Sequence, residues 1–425
     1  MIRAGTAVID ITPLAGQPMS GFAARSEPAL GTHDPLTVRA IAVNKTAIVV
    51  ADVIGIRDEM SERIRRRCIL PDDAVVVAAL HNHGGPVSMA GRLGQAADAG
   101  YLQRLEDACV KAVDDAVAAQ CPAALTIGGG RDPGVARNRR HPGGIVDNSL
   151  PVLRIHDSGG KIIAVMVAYA CHPVVLGADN RLWTADYPHF VRKELEAAYP
   201  GATAIFLTGC VGDANTGHSA QASITLNANA ARTFAEAERL GTIIAKAAIA
   251  AGERSAAGHI GVGNASVTLQ FSRREVEDPQ TLARRWREDM QAAEPARRVL
   301  LKHWIAWAEE IAPRDVAPLK ARVTVLDWGG VPIIALPGEI FAETARSIRD
   351  RLNPETPAFI IGFAEDNPGY IPPAGEYSFG GYEVDEAHRY YGMPASFAPG
   401  SAEALAAAAI SQLHPEAVSG STDGV

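Results

Sequence analysis

Two histidines one residue apart, His81 and His83, close an apolar run over residues 74–80 and open onto Gly84-Gly85-Pro86. Neutral imidazole is a common metal ligand. A buried strand ending in His-x-His would hold both rings while the intervening Asn82 turns to the other face. The glycines would let substrate approach the backbone. An isolated His-x-His also serves as an ordinary hydrogen-bonding strand end, so metal chemistry requires further ligands elsewhere in the chain.

Other polar positions interrupt apolar runs in the same manner. His172 follows residues 162–171 and precedes Pro173, and Glu339 follows residues 333–338. Tyr370 lies in Asn367-Pro368-Gly369-Tyr370-Ile371-Pro372-Pro373, and Asp213 and Asn215 begin a polar loop after residues 204–207. Each leaves a core element for a turn, where binding and catalytic groups concentrate. Taken singly, each also suits a cap or a turn. Glu339 in particular would fit the first turn of a helix, where the macrodipole favours a carboxylate.

The elements that must position these residues alternate. Val- and Ile-rich runs predict strands at 38–43, 47–53, 74–80, 124–128, 152–155, 162–169, 204–207, 260–271, 321–327, 332–335 and 358–362. Apolar residues recurring at three and four predict helices at 58–68, 101–120, 189–199, 230–251, 280–311 and 339–352. Short turns at Asn44-Lys45, Ser158-Gly159-Gly160 and Gly329-Gly330 call for antiparallel hairpins among the crossovers. The fold class is therefore α/β, with mixed parallel and antiparallel sheets flanked by helices, and a purely parallel barrel is disfavoured. Residues 1–415 are expected to form a single domain and residues 416–425, polar and glycine-rich, a disordered tail. Segment 280–311 interleaves Arg284, Arg285, Arg287, Arg297 and Arg298 with Trp286, Trp304 and Trp307. It reads as an amphipathic helix or helix pair with a solvated basic face, with a substrate lid or oligomer contact as the other use.

Bulk properties narrow the setting. The chain has 425 residues, 47% of them hydrophobic, and a net charge of -8 with dispersed basic residues, so nucleic acid is not an expected partner. The first twelve residues carry Arg3 and Asp10 rather than a secretion signal, and no stretch is apolar enough to span a membrane. A cytoplasmic protein that could self-associate is expected. Its five cysteines, an odd number without zinc-knuckle spacing, are expected to be reduced thiols.

Several motifs, taken in order, resemble the neutral or alkaline non-lysosomal ceramidases and their shorter relatives. They are Asp10-Ile11-Thr12-Pro13, Gly31-Thr32-His33-Asp34-Pro35-Leu36 before Arg39-Ala40, His81-Asn82-His83-Gly84-Gly85-Pro86, Asn138-Arg139, His172, Gly212-Asp213, Pro337-Gly338-Glu339 and the stretch from Tyr370 to Glu383. The resemblance covers roughly residues 3 to 390. It implies the catalytic-domain fold of that family, a Zn2+ ion held by His81, His172, Glu339 and Tyr370, and active-site roles for His83, Arg139 and Tyr382. Tyr370 and the Tyr382-Glu383 pair keep the family's interval.

The implied set is chemically coherent. Two imidazoles and a carboxylate leave zinc room for water, whose pKa would fall from 15.7 to about 7, so that it could attack a carbonyl. Arg139 and Tyr382 would stabilise the oxyanion, and His83 would carry a proton to the leaving amine. The family has a serine in a Gly-x-x-Ser context where this chain has Gly212-Asp213-Ala214-Asn215. An amide can orient water but offers no nucleophilic hydroxyl, so Asn215 takes an auxiliary place in the expected active site. The resemblance reaches the catalytic domain, and no counterpart of the C-terminal immunoglobulin-like domain of full ceramidases is expected. The expected function is hydrolysis of an amide or related acyl bond in a small soluble molecule by metal-bound water. A metal-dependent lyase or isomerase, a ceramidase proper, an amidohydrolase barrel and a non-catalytic metal binder are the other readings.

Overall fold

In the computed structural model, residues 2–93, 96–220, 226–272, 278–312, 315, 317–355 and 357–413 are described. The tail expected at 416–425 lies outside them. Strands too apolar to leave either face in water form the centre. β1 (Arg3–Asp10) and β2 (Thr37–Val43) pair antiparallel, and the Asn44-Lys45 turn sends β2 into an antiparallel β3 (Thr46–Ala51). Helix α1 (Asp58–Arg67) then carries the chain to β4 (Val75–Ala79), parallel to β3. Every residue of β3 and β4 is buried, as in strands covered on both faces. Helix α2 (Ala99–Ala118) packs over β1, β2 and β3.

β5 (Cys121–Gly130), β6 (Leu150–Asp157), β7 (Ile162–Tyr169) and β8 (Thr203–Thr208) extend this sheet. The Ser158-Gly159-Gly160 turn joins β6 to an antiparallel β7, and α3 (Tyr187–Ala198) crosses from β7 to a parallel β8. Helix α4 (Phe234–Ile249) packs on α3, and β9 (Arg254–Ala256) pairs with β5. The strand order is β8-β7-β6-β5-β1-β2-β3-β4, with β9 off that path.

A four-stranded sheet follows, in the order β10 (Ile260–Leu269), β11 (Leu319–Trp328), β12 (Pro332–Ala335) and β13 (Phe359–Ile361). Its first three strands are antiparallel and its last pair is parallel. The segment 280–311 is a helix pair, α5 (Pro279–Ala292) and α6 (Pro295–Glu310), broken ahead of Pro295 because proline cannot continue a helix. Helices α7 (Ala342–Arg349) and α8 (Ser401–Ser411) pack on each other, and α8 covers β10 and β11.

The two sheets join where the site forms. Trp328 Nε1 donates to Thr46 Oγ1 at 2.8 Å. Isolated bridges Ala78↔Ala364 and Gly209↔Ile361 tie the chain leaving β13 to both outermost strands of the large sheet. Thr208 Oγ1 donates to Leu80 O at 2.6 Å, so those two outer strands meet. The large sheet therefore curls until the carboxyl ends of β4, β8 and β13 lie together. All five cysteines are free thiols. Among the described residues no helix is long and apolar enough to cross a membrane.

Candidate metal centre and active site

β4 ends at Ala79, so His81 and His83 are not set by strand alternation. His81 adopts φ 64, a left-handed conformation that costs a non-glycine residue about 1–3 kcal/mol and persists where its surroundings over-determine it. Its backbone N–H donates to Val53 O at 2.9 Å, and its ring stacks on Phe363 at 3.9 Å. The following loop comes close to residues 182–186: a Cβ on Gly84 would lie 2.5 Å from Thr184 O. His172 follows β7 and is anchored by its N–H to Ala214 O at 3.1 Å.

Glu339 and Tyr370 come from the two parallel short strands Glu339–Ile340 and Tyr370–Ile371, in register with each other. Helix α7 starts only at Ala342, so Glu339 is not a first-turn residue responding to a helix dipole. Glycines permit the close pairing. Gly338 has φ 76, and a Cβ there would lie 2.7 Å from Gly369 O.

These elements bring two imidazoles and a carboxylate to one point. His81 Nδ1 is bonded to Ile54 O at 2.6 Å and His172 Nδ1 to Val211 O at 3.0 Å. A carbonyl only accepts, so each ring carries its proton on Nδ1 and presents a lone pair at Nε2. Those two Nε2 atoms face each other at 2.9 Å with no proton to share. Glu339 Oε2 lies 3.4 Å from His172 Nε2 and 3.7 Å from His81 Nε2, is buried, and has no hydrogen-bond partner among the described residues. Two imidazole lone pairs and a carboxyl oxygen, converging with no donor from any other described residue on Oε2, fit a cation that would displace the carboxyl proton. His83 Nε2 lies 3.4 Å from His81 Nε2, and the three histidines form a group that could hold a metal ion.

The electrostatics agree. Burial pushes His81 down to about 3 and holds His172 well below its ordinary value, so both rings are neutral, as ligands must be. Burial pushes the Glu339 carboxyl up to about 8, against the nearby Tyr370 hydroxyl and the charge of Arg139. A divalent cation beside Oε2 would restore the carboxylate. His83 is also held well below its ordinary value, by burial first and then by His81, Arg25, Arg232 and Arg139. Its resting form is the neutral ring, not a half-protonated one.

A second ring of residues supports these groups. Tyr391 donates its hydroxyl proton to Glu339 Oε1, leaving Oε2 to face the histidines. Arg139 is positioned by the short strand Arg137–Asn138, paired with Ala214–Asn215. It donates from Nη2 to Tyr370 Oη at 2.9 Å and from Nε to Glu383 Oε1 at 2.8 Å, while Arg140 Nη1 donates to Glu383 Oε2 at 2.6 Å. Although burial works the other way, the charges of Arg139 and Arg140 hold the Glu383 carboxyl below its ordinary value. Tyr382 opens a π-helical turn, Tyr382–Glu386, with its ring 5.7 Å from that of Tyr370. Asn215 reaches the same cavity, but its amide closes its own loop: Oδ1 accepts from Gly217 N at 2.8 Å and His218 N at 2.9 Å, and Nδ2 donates to His218 O at 2.6 Å.

A cavity of about 690 Å³ opens over this group, lined among others by His83, Arg139, His172, Glu339, Tyr370 and Tyr382. Leu300, His303 and Trp307 of α6 form part of its wall, so the helix pair borders the site rather than standing off in solvent. The pair is fastened to the segment carrying Tyr382 and Tyr391. Trp304 Nε1 donates to Tyr390 Oη at 2.8 Å, Trp307 Nε1 donates to Met393 O at 2.7 Å, and the Arg389 guanidinium lies 4.5 Å from the Trp304 ring.

Sequence signals mark most of the set but miss Tyr391, Arg25 and Arg232, and they name Glu383 only as part of the Tyr382-Glu383 pair, without its bond to Arg139. Tyr391 sits in Arg389-Tyr390-Tyr391-Gly392 with no apolar run ahead of it. Glu383 adjoins Tyr382, and the pairing of Glu383 with Arg139 spans 244 positions.

Curled mixed sheets with the site at their joined carboxyl ends define a ceramidase-like fold. Neutral ceramidase from Pseudomonas aeruginosa superposes with a TM-score of 0.73 at 15% identity, covering 96% of this chain and 74% of that one. A ceramidase complexed with C2 gives a TM-score of 0.71, also at 15% identity, covering 96% of this chain and 75% of the other. No protein-family model matches the chain. At this identity the likeness is one of architecture.

Proposed function

We propose that the chain is a zinc-dependent hydrolase of an amide (N-acyl) or related acyl bond in a small molecule, with the ion held by His81, His172, Glu339 and the Tyr370 hydroxyl. The supporting observation is the pair of Nε2 lone pairs 2.9 Å apart beside the partnerless Glu339 Oε2. The likeness in fold to two ceramidases, enzymes by name, favours the same class of chemistry. A bound zinc ion supplies a Lewis acid that polarises a carbonyl and acidifies water. Arg139, fixed by Glu383, and the Tyr382 hydroxyl offer donors to the developing oxyanion. His83, next to His81, takes a proton from the attacking water and returns it to the leaving nitrogen. Asn215 keeps the 215–218 loop in shape beside them.

Elemental analysis of purified protein, combined with hydrolysis of soluble N-acyl compounds and a short-chain ceramide before and after chelation, tests this reading. One zinc per chain and chelator-sensitive cleavage are expected. Metal without turnover on any compound, or turnover indifferent to chelation, would overturn it. His81→Ala and His172→Ala should lose metal and activity together. Arg139→Ala and Tyr382→Phe should keep the metal and lose roughly a hundredfold or more in kcat.

A further inference from the structure

A row of charges alternating in sign leads away from the cavity. Arg139 Nε donates to Glu383 Oε1 at 2.8 Å, Arg140 Nη1 to Glu383 Oε2 at 2.6 Å and Arg140 Nε to Glu376 Oε2 at 2.8 Å. His141 Nε2 meets both Glu376 oxygens at 3.0 Å at the outer end of the row. Arg139 lines the cavity, whereas Glu383, Arg140 and Glu376 do not. The side chains of Arg139, Glu383 and Arg140 are only 7%, 4% and 7% exposed. Attraction within pairs this deeply buried is largely offset by their desolvation, so stability alone does not account for them. What they supply is a fixed geometry.

Arg140 is the centre of that geometry. Each of its guanidinium nitrogens is committed, Nη1 to Glu383, Nε to Glu376 and Nη2 to Gly380 O at 2.8 Å. The guanidinium also lies 5.6 Å from the centroid of the Phe341 ring, which is buried two residues beyond Glu339. Gly380 and Gly381, with φ 58 and 91, lead into the turn Tyr382–Glu386. A Cβ on Gly381 would stand 3.3 Å from Arg140 Nη1, so the glycine leaves the arginine its place. Arg140 therefore grips both the Glu383 carboxylate and the backbone that carries it.

We infer that Arg140 is a positioning residue for the hydrolysis proposed above, acting on Arg139 through Glu383. The terminal torsion of a glutamate is broad, so a carboxylate held by one oxygen can swing. Arg140 holds Oε2 and so fixes Oε1, on which Arg139 Nε rests. With Nε on Glu383 and Nη2 on Tyr370, Nη1 is the Arg139 nitrogen without a hydrogen-bond partner among the described residues, and the clamp keeps it available to the oxyanion. A lysine could not do this, because a single ammonium lacks the planar fork that reaches three partners in fixed directions. The catalytic consequence rests on the hydrolase reading; the clamp itself does not.

Kinetics on the best N-acyl substrate, together with crystal structures of the metal-loaded protein and of Arg140→Gln, test the inference. Arg140→Gln should keep its zinc and its KM and lose about tenfold to a hundredfold in kcat, the scale of a misplaced catalytic group. Introduced into Arg139→Ala, the same change should remove almost nothing more, because the group it positions is gone. A residue serving only the fold would lower kcat by the same factor in both backgrounds, and that result would overturn the inference. Should Arg140→Gln not fold, Arg140→Lys keeps a charge beside Glu383 and Glu376, and the same two comparisons made with it decide. An Arg139 guanidinium and a Glu383 carboxylate unmoved in the variant structure would overturn the inference without reference to turnover. Turnover of no compound by the wild-type protein, with Arg139 displaced in the variant, would remove the hydrolase reading and leave the clamp standing.

Discussion

At the scale of single residues, Tyr391 shows how a group outside the proposed ligand set would govern it. By occupying Glu339 Oε1 it leaves one carboxylate oxygen, Oε2, toward the two imidazoles, which fixes how many bonds the carboxylate can offer. Tyr391→Phe keeps the ring that packs against Gly369 and removes only the donor. Zinc affinity, measured by competition with a chelator, should weaken about 10- to 100-fold, the usual effect of losing an outer partner. Unchanged affinity would mean that Tyr370 and the backbone orient Glu339 unaided. The contrast with the residues singled out from sequence is physical. His81, His172 and Glu339 each break a run of buried apolar neighbours, and that break is visible in one dimension. Tyr391 follows a mixed polar stretch and acquires its meaning only from a side chain 52 positions away.

At the scale of elements, the helix pair α5/α6 and the turn-rich segment 382–393 act as one body. His388 is enclosed in it, with its ring 5.2 Å from that of Trp307 and its pKa pushed down to about 3 by burial, with Arg389 adding to the effect. The ring stays neutral in the folded chain and takes up a proton near pH 6.5 in the unfolded one. Stability should therefore be complete above about pH 6.5 and fall as the pH drops toward 3, by up to about 1.4 kcal/mol per unit, less for the part of the ring that solvent reaches. His388→Phe should flatten this dependence. Urea midpoints at pH 7.5 and pH 5 would show it, and a parallel pH profile in both proteins would contradict it. A helix or helix pair over 280–311 was readable from three-four periodicity, and the hairpin strands from their short turns. That α6 would wall the cavity was not, because the anchoring bonds of Trp304 and Trp307 reach 86 positions along the chain.

At the scale of the molecule, the curl of the large sheet decides whether the site exists. Bridges from residues 361 and 364 to residues 209 and 78 bring both outer strands together, and no local pattern in the sequence encodes that closure. Since the proposed ligands sit on separate elements, zinc should bind the folded chain far better than the unfolded one. It should then stabilise the fold by about 2.7 kcal/mol at a free concentration one hundred times its dissociation constant. Thermal unfolding with and without zinc would measure this, and a midpoint indifferent to the metal would count against a site spanning both sheets. The order of the ligands along the chain adds a constraint on biosynthesis. His81 and His172 emerge from the ribosome long before Glu339, Tyr370 and Tyr391, and the strand that joins the sheet edges, β13, emerges after Glu339 and before Tyr370. A nascent chain that captured metal early would do so on imidazoles alone, so on the proposed reading a correctly loaded centre would form only once residues 339–391 have emerged.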